Sequence, residues 1–176
     1  MRRHGYAQRP FVLIDVGARK GFEHHWEEFK DQIERIGFEP NHQSYKECIE
    51  TKSAPGSKYY PFALDISTGR RRLFITRYLS ATSFLRPKRE IVDRYGYGDL
   101  LSVVDEIDVE TVDLDSFCNS NEIDYVDFVK IDAEGAELDI LKGAQQILEK
   151  KVLGLSIEVG FLEIREGQPS FGEIDE

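Results

Sequence analysis

Residues 11–21 read Phe11-Val12-Leu13-Ile14-Asp15-Val16-Gly17-Ala18-Arg19-Lys20-Gly21. A short apolar run leads into an acid and then a glycine, which predicts a buried strand over residues 10–16. A glycine turn between a strand and a helix lets a ligand approach the backbone closely. The pattern therefore indicates a ligand site at the carboxyl end of this strand, although a tight turn without a ligand explains the same glycines.

Strand-like and helix-like segments alternate along the rest of the chain. This order predicts an α/β fold with a mostly parallel sheet, formed by one domain over residues 1–176. Residues 80–104 show no clear pattern. Helices are predicted over residues 23–36 (ended by Gly37), 45–51, 115–119 and 138–150, strands over 38–40, 59–64, 72–76, 109–114, 126–132 and 153–159, and turns at 54–58 and 67–69.

Composition excludes several classes of protein. No apolar run approaches the roughly 20 residues of a membrane span, and no signal peptide is evident, so we predict a cytoplasmic protein without a membrane partner. Cys48 and Cys118 stand alone, which argues against a zinc site or a disulfide framework. The net charge of −10 disfavours nucleic-acid binding by the whole chain, although residues 1–104 carry 18 Lys and Arg against 13 Asp and Glu.

Glu39 lies about 20 residues beyond the glycine turn, at the end of the next predicted strand. An acid at this spacing accepts hydrogen bonds from ribose hydroxyls in nucleotide-binding α/β folds. The glycines do not match the GxGxxG pattern of dinucleotide enzymes, which argues against an oxidoreductase. A solvated loop acid would also explain Glu39, but its spacing from Gly17 favours a role in ligand binding, because two independent features agree.

A second cluster of charged residues follows the strand predicted over 126–132. It reads Lys130-Ile131-Asp132-Ala133-Glu134-Gly135-Ala136-Glu137. Crowded carboxylates at a strand end can raise one pKa and create a proton acceptor. An acidic helix start explains Glu137 equally well, because the helix dipole favours acids there, but it explains Asp132 poorly.

Several segments resemble the FkbM-type family of class I methyltransferases. The similarity covers roughly residues 11–160, and its most specific part is the Lys-Ile-Asp-x-Glu-Gly-x-Glu motif over residues 130–137. The other matching segments are residues 14–18, Gly21, 38–41, 63–64, 112–117, 141–144 and 157–159.

The resemblance implies a Rossmann-like, three-layer α/β/α sandwich and methyl transfer from S-adenosylmethionine, usually to a hydroxyl of a sugar or a polyketide-like alcohol. Our own hypothesis for the mechanism is that Asp132 accepts the hydroxyl proton, oriented by Lys130 or Glu134. The chain ends before the terminal strands of a complete class I fold, so we expect it to be C-terminally incomplete, with an open sheet edge available for a homodimer. The cofactor-binding residues implied are Asp15, Gly17, Ala18, Arg19 (where the family often has asparagine), Gly21, Glu39, Asp65 and Ser83.

Four alternatives stay open at this point. A non-catalytic binding module would keep the same fold. His24 or His25 would serve as a base if it reached the site, but such a pair is more often exposed. Asp132, Glu134 and Glu158 have the chemistry of a Mg²⁺ site, although we predict a metal-free site. The last is an anion site formed by residues 70–72, Arg86, Lys88, Arg89 and Arg94.

Overall fold

The central element of this computed structural model, which describes residues 9–51 and 56–176, is a five-stranded parallel sheet. Its strand order is β3-β2-β1-β7-β8, with every neighbouring pair parallel. The predicted α/β class and parallel sheet are therefore confirmed. The strands are β1 (Phe11–Val16), β2 (Ile33–Phe38), β3 (Ser57–Tyr60), β7 (Phe128–Ile131) and β8 (Gly154–Ile157).

A second, three-stranded sheet has the order β4-β6-β5. Its main unit is an antiparallel pair, β5 (Gly69–Thr76) with β6 (Val103–Val112), and β4 (Ala63–Leu64) adds in parallel to β6. The antiparallel strand predicted over residues 72–76 is confirmed and begins three residues earlier. The helices are α1 (His42–Thr51), α2 (Arg89–Arg94), α3 (Leu114–Ser120), α4 (Glu137–Lys142), α5 (Gln145–Lys151) and α6 (Phe171–Asp175), with 3₁₀ helices at Ala18–Lys20, His24–Phe29 and Leu79–Ala81.

The core is divided between the two faces of the central sheet. Alternate residues of β1 (Val12, Ile14 and Val16) join one large apolar cluster with α3, α4, α5 and the second sheet. A smaller cluster of Ala18, Cys48 and Tyr59 lies under α1. The molecule is therefore layered as the resemblance implied.

The predicted helix over residues 23–36 is wrong. Its first part is the 3₁₀ helix His24–Phe29, and its last part is β2. A central parallel strand is buried on both faces, so its sequence shows no alternation of apolar and polar residues. Because Ile33 and Ile36 are three residues apart, they continued the helical spacing of the residues before them. Gly37 does not end a helix; it lies in β2, where a Cβ would come 2.7 Å from the Tyr59 ring.

Trp26, an apolar residue in the first part of the predicted helix, packs against the central sheet from the 3₁₀ helix. Its ring lies 5.9 Å from the Phe11 ring and 5.2 Å from the Phe128 ring, measured between centroids. Phe11 and Phe128 begin β1 and β7, so the tryptophan packs at the amino ends of these strands. The buried guanidinium of Arg35 donates to the Trp26 carbonyl at 2.8 Å and to Glu27 Oε1 at 3.1 Å, which fixes the 3₁₀ helix to β2.

Two other predicted elements are each divided in the structure. The strand predicted over 59–64 becomes β3 and β4, which belong to different sheets. The helix predicted over 138–150 becomes α4 and α5, interrupted at Gly143. A Cβ at Gly143 would overlap the carbonyl oxygen of Asp65, so the glycine allows the chain to turn against the end of β4.

Most of the remaining predicted segments agree with the structure within a few residues, but the strand predicted over 38–40 shares only Phe38 with β2. α1 begins three residues earlier than predicted, where Asn41 Oδ1 accepts hydrogen bonds from the amides of Gln43 and Ser44. β6 is longer than the strand predicted over 109–114. The turn predicted at 54–58 lies partly outside the described residues. None of the helices that the structure describes has the length and apolar character required to cross a membrane.

Candidate active site

A cavity of about 310 Å³ lies at the carboxyl ends of β1, β2 and β7. It is the position at which open α/β sheets bind their ligands. Eight of the predicted site residues line it, whereas a larger open groove of about 710 Å³ beside Phe161 and Phe171 is lined by none of them. The eight are Gly17, Arg19, Gly21, Glu39, Ser83, Lys130, Asp132 and Glu134.

The glycine turn forms one wall of this cavity. Gly17 has φ +78°, and a Cβ there would overlap the carbonyl oxygen of Asp132. Gly21 has φ +76°, also in the left-handed region that favours glycine. The two glycines let the chain leave β1 beside β7 without a side chain between them. Arg19 lies within the turn, and its Nη1 donates to Ser80 Oγ at 2.8 Å across the cavity wall.

Glu39 follows the last residue of β2, and its side chain lines the cavity although the residue is only 5% exposed. One carboxylate oxygen accepts a hydrogen bond from the Asn41 amide at 2.8 Å, which holds the side chain at the start of α1. A buried carboxylate that faces a cavity is matched to a hydroxyl-bearing ligand, because hydroxyl donors offset its loss of hydration.

Lys130 connects two carboxylates at the junction of β1 and β7. The sheet register places it opposite Asp15, and its Nζ lies 3.1 Å from Asp15 Oδ1 and 3.4 Å from Asp132 Oδ2. Burial raises the pKa of Asp15 to about 6, and the nearby lysine lowers it only in part. Burial alone would lower the pKa of Lys130, but Asp15 and Asp132 raise it, so the lysine stays charged. Asp15 itself does not line the cavity.

Three carboxylates meet at the mouth of the cavity. One oxygen from each of Asp132, Glu134 and Glu158 lies within 4.8 Å of the other two. Glu158 is exposed at this mouth, yet its pKa is raised to about 7, first by partial loss of hydration and then by the nearby Asp132 and the other neighbouring acids. Clustered carboxylates at the end of a strand supply candidates for a general base.

The turn after β7 holds Glu134 through both its backbone and its side chain. Ser83 Oγ donates to the Glu134 carbonyl at 2.7 Å, and Arg165 forms an ion pair with the Glu134 carboxylate. Glu137 Oε1 accepts hydrogen bonds from the Ala133 and Gly135 amides, at 3.0 and 3.1 Å. Glu137 therefore stabilises the start of α4, as the alternative interpretation of this acid predicted.

The other predicted residues lie outside the cavity. The Ala18 side chain is buried between α1 and β3, so only its backbone is near the site. Asp65 is held by Arg71 at 2.8 Å and does not reach the cavity. His24 and His25 are both exposed and do not line it. This placement agrees with the interpretation of the histidine pair as a surface feature.

The arginines proposed as an anion site are largely paired with acids. Arg71 bonds to Asp65 and Asp139, and Arg72 to Glu106 and Asp108. Arg86 Nη2 lies 2.6 Å from Glu106 Oε1, Lys88 Nζ lies 2.6 Å from Glu163 Oε2, and Arg89 Nη2 lies 3.0 Å from Asp93 Oδ1. The structure therefore does not support an open anion site on this surface.

Comparison with known proteins agrees with this geometry. The model of the methyltransferase FkbM domain matches residues 15–176, which is most of the chain. This chain belongs to the FkbM methyltransferase family. No curated protein matches it.

The FkbM fold is also found in a solved structure. The crystal structure of methyltransferase FkbM from Methylobacillus flagellatus KT is similar to this chain at 18% identity, with a TM-score of 0.52. The similarity covers 85% of this chain and 33% of the other, so this FkbM chain spans about a third of that protein's length. At this identity the likeness supports the fold alone.

Sequence reasoning missed two features of the FkbM site. Arg165, which holds Glu134, is a single arginine in an irregular segment and has no periodicity or motif around it. Ser80, the partner of Arg19, lies in residues 80–104, where no pattern was evident. Both act through contacts between segments far apart in the chain, which no local signal records.

Proposed function

We propose that this chain is the cofactor-binding and catalytic part of an S-adenosylmethionine-dependent methyltransferase that methylates a hydroxyl oxygen of an uncharged small molecule, such as a sugar or a polyketide-like alcohol. One observation carries the proposal. A single cavity is lined at once by the glycine turn after β1, the Glu39 carboxylate and the acidic cluster around Asp132.

The residues present fit this cofactor. The carboxylate of Glu39 matches a ribose diol, and the cavity volume of about 310 Å³ is at the lower end of the usual range for small-molecule sites, about 300–1,000 Å³. Gly17 lines the cavity, and its lack of a side chain lets the turn lie directly against the Asp132 carbonyl. The positive charge of Arg19 suits the carboxylate of the cofactor's methionine end. When bound, the cofactor supplies an electrophilic methyl group on a sulfonium.

The chain's own contribution is to orient the acceptor and remove one proton. Asp132, which lies beside Glu158, would accept the proton that the acceptor hydroxyl loses when the methyl group passes from the sulfonium sulfur to the hydroxyl oxygen and leaves S-adenosylhomocysteine behind. Lys130, on β7, pairs with the Asp132 carboxylate and helps to hold it in place. The proton remains within the carboxyl pair until it exchanges with water.

The charge of the cavity supports an uncharged acceptor. Three carboxylates surround the mouth of the cavity, and Arg71 and Arg72 of the neighbouring sheet are bonded to acids. A phosphorylated or acidic acceptor would be repelled there, because like charges this close are unfavourable even when partly screened. A hydroxyl group instead donates a hydrogen bond to the cluster.

Calorimetric titration with S-adenosylmethionine, S-adenosylhomocysteine and NAD tests the cofactor. We expect micromolar binding of the two sulfur compounds and none of NAD. Binding of NAD alone, or of none of the three, would contradict the proposal. An acceptor screen with a methyl-labelled cofactor then separates an enzyme from a binding module, which would bind the cofactor without transferring its methyl group.

Asp132→Asn tests the general base once an acceptor is known. Loss of a positioned base lowers turnover by about 10²- to 10⁴-fold, and cofactor affinity should change little. The matched control is Asp124→Asn, an exposed aspartate in the loop before β7. Near-normal turnover of Asp132→Asn would rule out this assignment.

A further inference from the structure

Glu134 has an unusual backbone conformation for a residue with a side chain. Its φ is +56°, and among the described residues it shares a positive φ outside glycine only with Glu122. Such conformations are uncommon and persist when the surrounding structure enforces them. Its carboxylate is also partly buried, and burial raises the pKa of Glu134. Both the backbone and the side chain of this residue therefore need support from other segments.

Arg165 supplies that support. It is 2% exposed, its Nη2 donates to the Ala81 carbonyl at 3.3 Å, and the same nitrogen pairs with the Glu134 carboxylate. Its Nε finds no hydrogen-bond partner among residues 9–51 and 56–176. An apolar side chain would often be at least as stable in such a position. The guanidinium is thus better explained by what it does to Glu134 than by fold stability.

The segment that carries Arg165 is itself fixed to the loop that carries Ser83. The Glu166 amide donates to the Arg86 carbonyl and the Lys88 amide to the Ile164 carbonyl, both at 2.8 Å. Ser83 begins this loop and donates to the Glu134 carbonyl. Glu134 is thus held from two sides by segments that are fastened to each other.

We propose that Arg165 is a positioning residue that holds the Glu134 carboxylate at the mouth of the cavity, facing Asp132 and Glu158. The proposal deepens the proposed function and rests on it for its catalytic meaning. The contact itself is a property of the ligand-free chain. Without Arg165, the partly buried Glu134 carboxylate loses its counter-ion, and the strained turn relaxes.

Amide hydrogen exchange in the ligand-free chain tests the contact directly. Gly135 follows Glu134, is buried, and donates its amide to Glu137 Oε1. In Arg165→Met we expect its exchange to accelerate about tenfold, whereas the amides of Asp127 and Ile140, bonded to Val12 and Ala136, keep their protection. Arg165→Lys keeps the charge and should restore part of the protection. Arg86→Met, a half-exposed arginine of the adjoining loop, is the matched control and should leave Gly135 unchanged.

A second background distinguishes positioning of Glu134 from general support of the loop. In Glu134→Gln the unpaired carboxylate no longer exists, so adding Arg165→Met should change Gly135 exchange little. An equal acceleration in both backgrounds would overturn the proposal, as would unchanged exchange in Arg165→Met. If Arg165→Met fails to fold, Gly135 exchange in Glu134→Gln is compared with that in the double variant. Similar exchange in the two supports the proposal, and faster exchange in the double variant overturns it.

A separate experiment tests the effect of Arg165 on cofactor binding. Calorimetry should show S-adenosylmethionine binding about tenfold more weakly to Arg165→Met than to the unmodified chain, with the loss absent in the Glu134→Gln background. An unmodified chain that does not bind S-adenosylmethionine refutes the proposed function and leaves the exchange result standing. Cofactor binding with unaltered Gly135 exchange in Arg165→Met refutes the role of Arg165 alone.

Discussion

Glu39 is buried and yet lines the cavity, at the point where β2 ends and α1 begins. A carboxylate in this position interacts more strongly with hydroxyl donors than a neutral amide does. We therefore expect Glu39→Gln to weaken S-adenosylmethionine binding about tenfold, since a hydrogen bond to a charged group contributes about 1.5–3 kcal/mol. Glu34→Gln, on the same strand but bonded to Lys58, should leave the affinity unchanged. Equal losses from both changes would disprove the role of Glu39.

Glu158 carries the pH dependence of the acidic cluster. Its pKa in the folded chain is about 7 instead of 4.5, so the folded state holds this proton more tightly than the unfolded state. Its contribution to stability is complete below the unfolded pKa and is lost as pH rises through the folded pKa. Relative to the unmodified chain, Glu158→Gln should thus become progressively more stable between about pH 5 and 8.

Urea unfolding at the two ends of that pH range measures this difference. Glu110→Gln is the control, because Glu110 is exposed on β6, away from the cluster. A free-energy difference between Glu158→Gln and the unmodified chain that stays constant with pH would mean that Glu158 has an ordinary pKa.

At the scale of elements, the turn after β1 depends on the absence of a side chain. Alanine at Gly17 would require φ near +78° and would collide with the Asp132 carbonyl. We expect Gly17→Ala to destabilise the chain by at least about 2 kcal/mol and to abolish cofactor binding. Gly172→Ala in α6, where a Cβ meets nothing within 4 Å, should change stability by no more than about 0.5 kcal/mol. Denaturant unfolding compares the two, and similar small losses would contradict the prediction.

How well an element was predicted depended on where its stabilising contacts lie. β1 and the strand before Asp132 are short apolar runs ended by acids, so local sequence predicted them, and with them the turn residues that line the cavity. All of β2 except its last residue, Phe38, was missed because its identity depends on its two neighbouring strands and on the bond of the buried Arg35 to the 3₁₀ helix. A helical period describes how the apolar residues are spaced along the sequence, but it does not show which elements they pack against.

At the scale of the whole molecule, part of the uneven charge of the sequence is paired within the second sheet. The basic strand β5 pairs with the acidic strand β6, so that Arg70 lies opposite Glu110 and Arg72 opposite Asp108. The excess of Lys and Arg in residues 1–104 left a basic surface possible. Which strands pair is a long-range property, so the sequence alone did not show that these arginines face acids. The pairing of β5 with β6 places part of this basic charge opposite acids.

Ligand binding should stabilise the whole chain. A ligand that binds only the folded state at 100 times its Kd adds about 2.7 kcal/mol to the free energy of unfolding. For a domain of this size we expect S-adenosylmethionine and S-adenosylhomocysteine to raise Tm by about 5–10 °C. NAD should give no shift at the same concentration, and Glu39→Gln should need more cofactor for the same shift. Equal shifts with NAD would argue for a less selective nucleotide site.

Trp26 is the chain's one tryptophan, and it packs at the amino ends of β1 and β7, whereas the cavity lies at their carboxyl ends. The chain thus carries a natural fluorophore on the side of the sheet away from its chemistry. Its fluorescence should change when the sheet unfolds and stay nearly constant when a ligand enters the cavity. Unfolding of the sheet can therefore be followed by Trp26 fluorescence without an added label, separately from the loss of ligand binding in a variant.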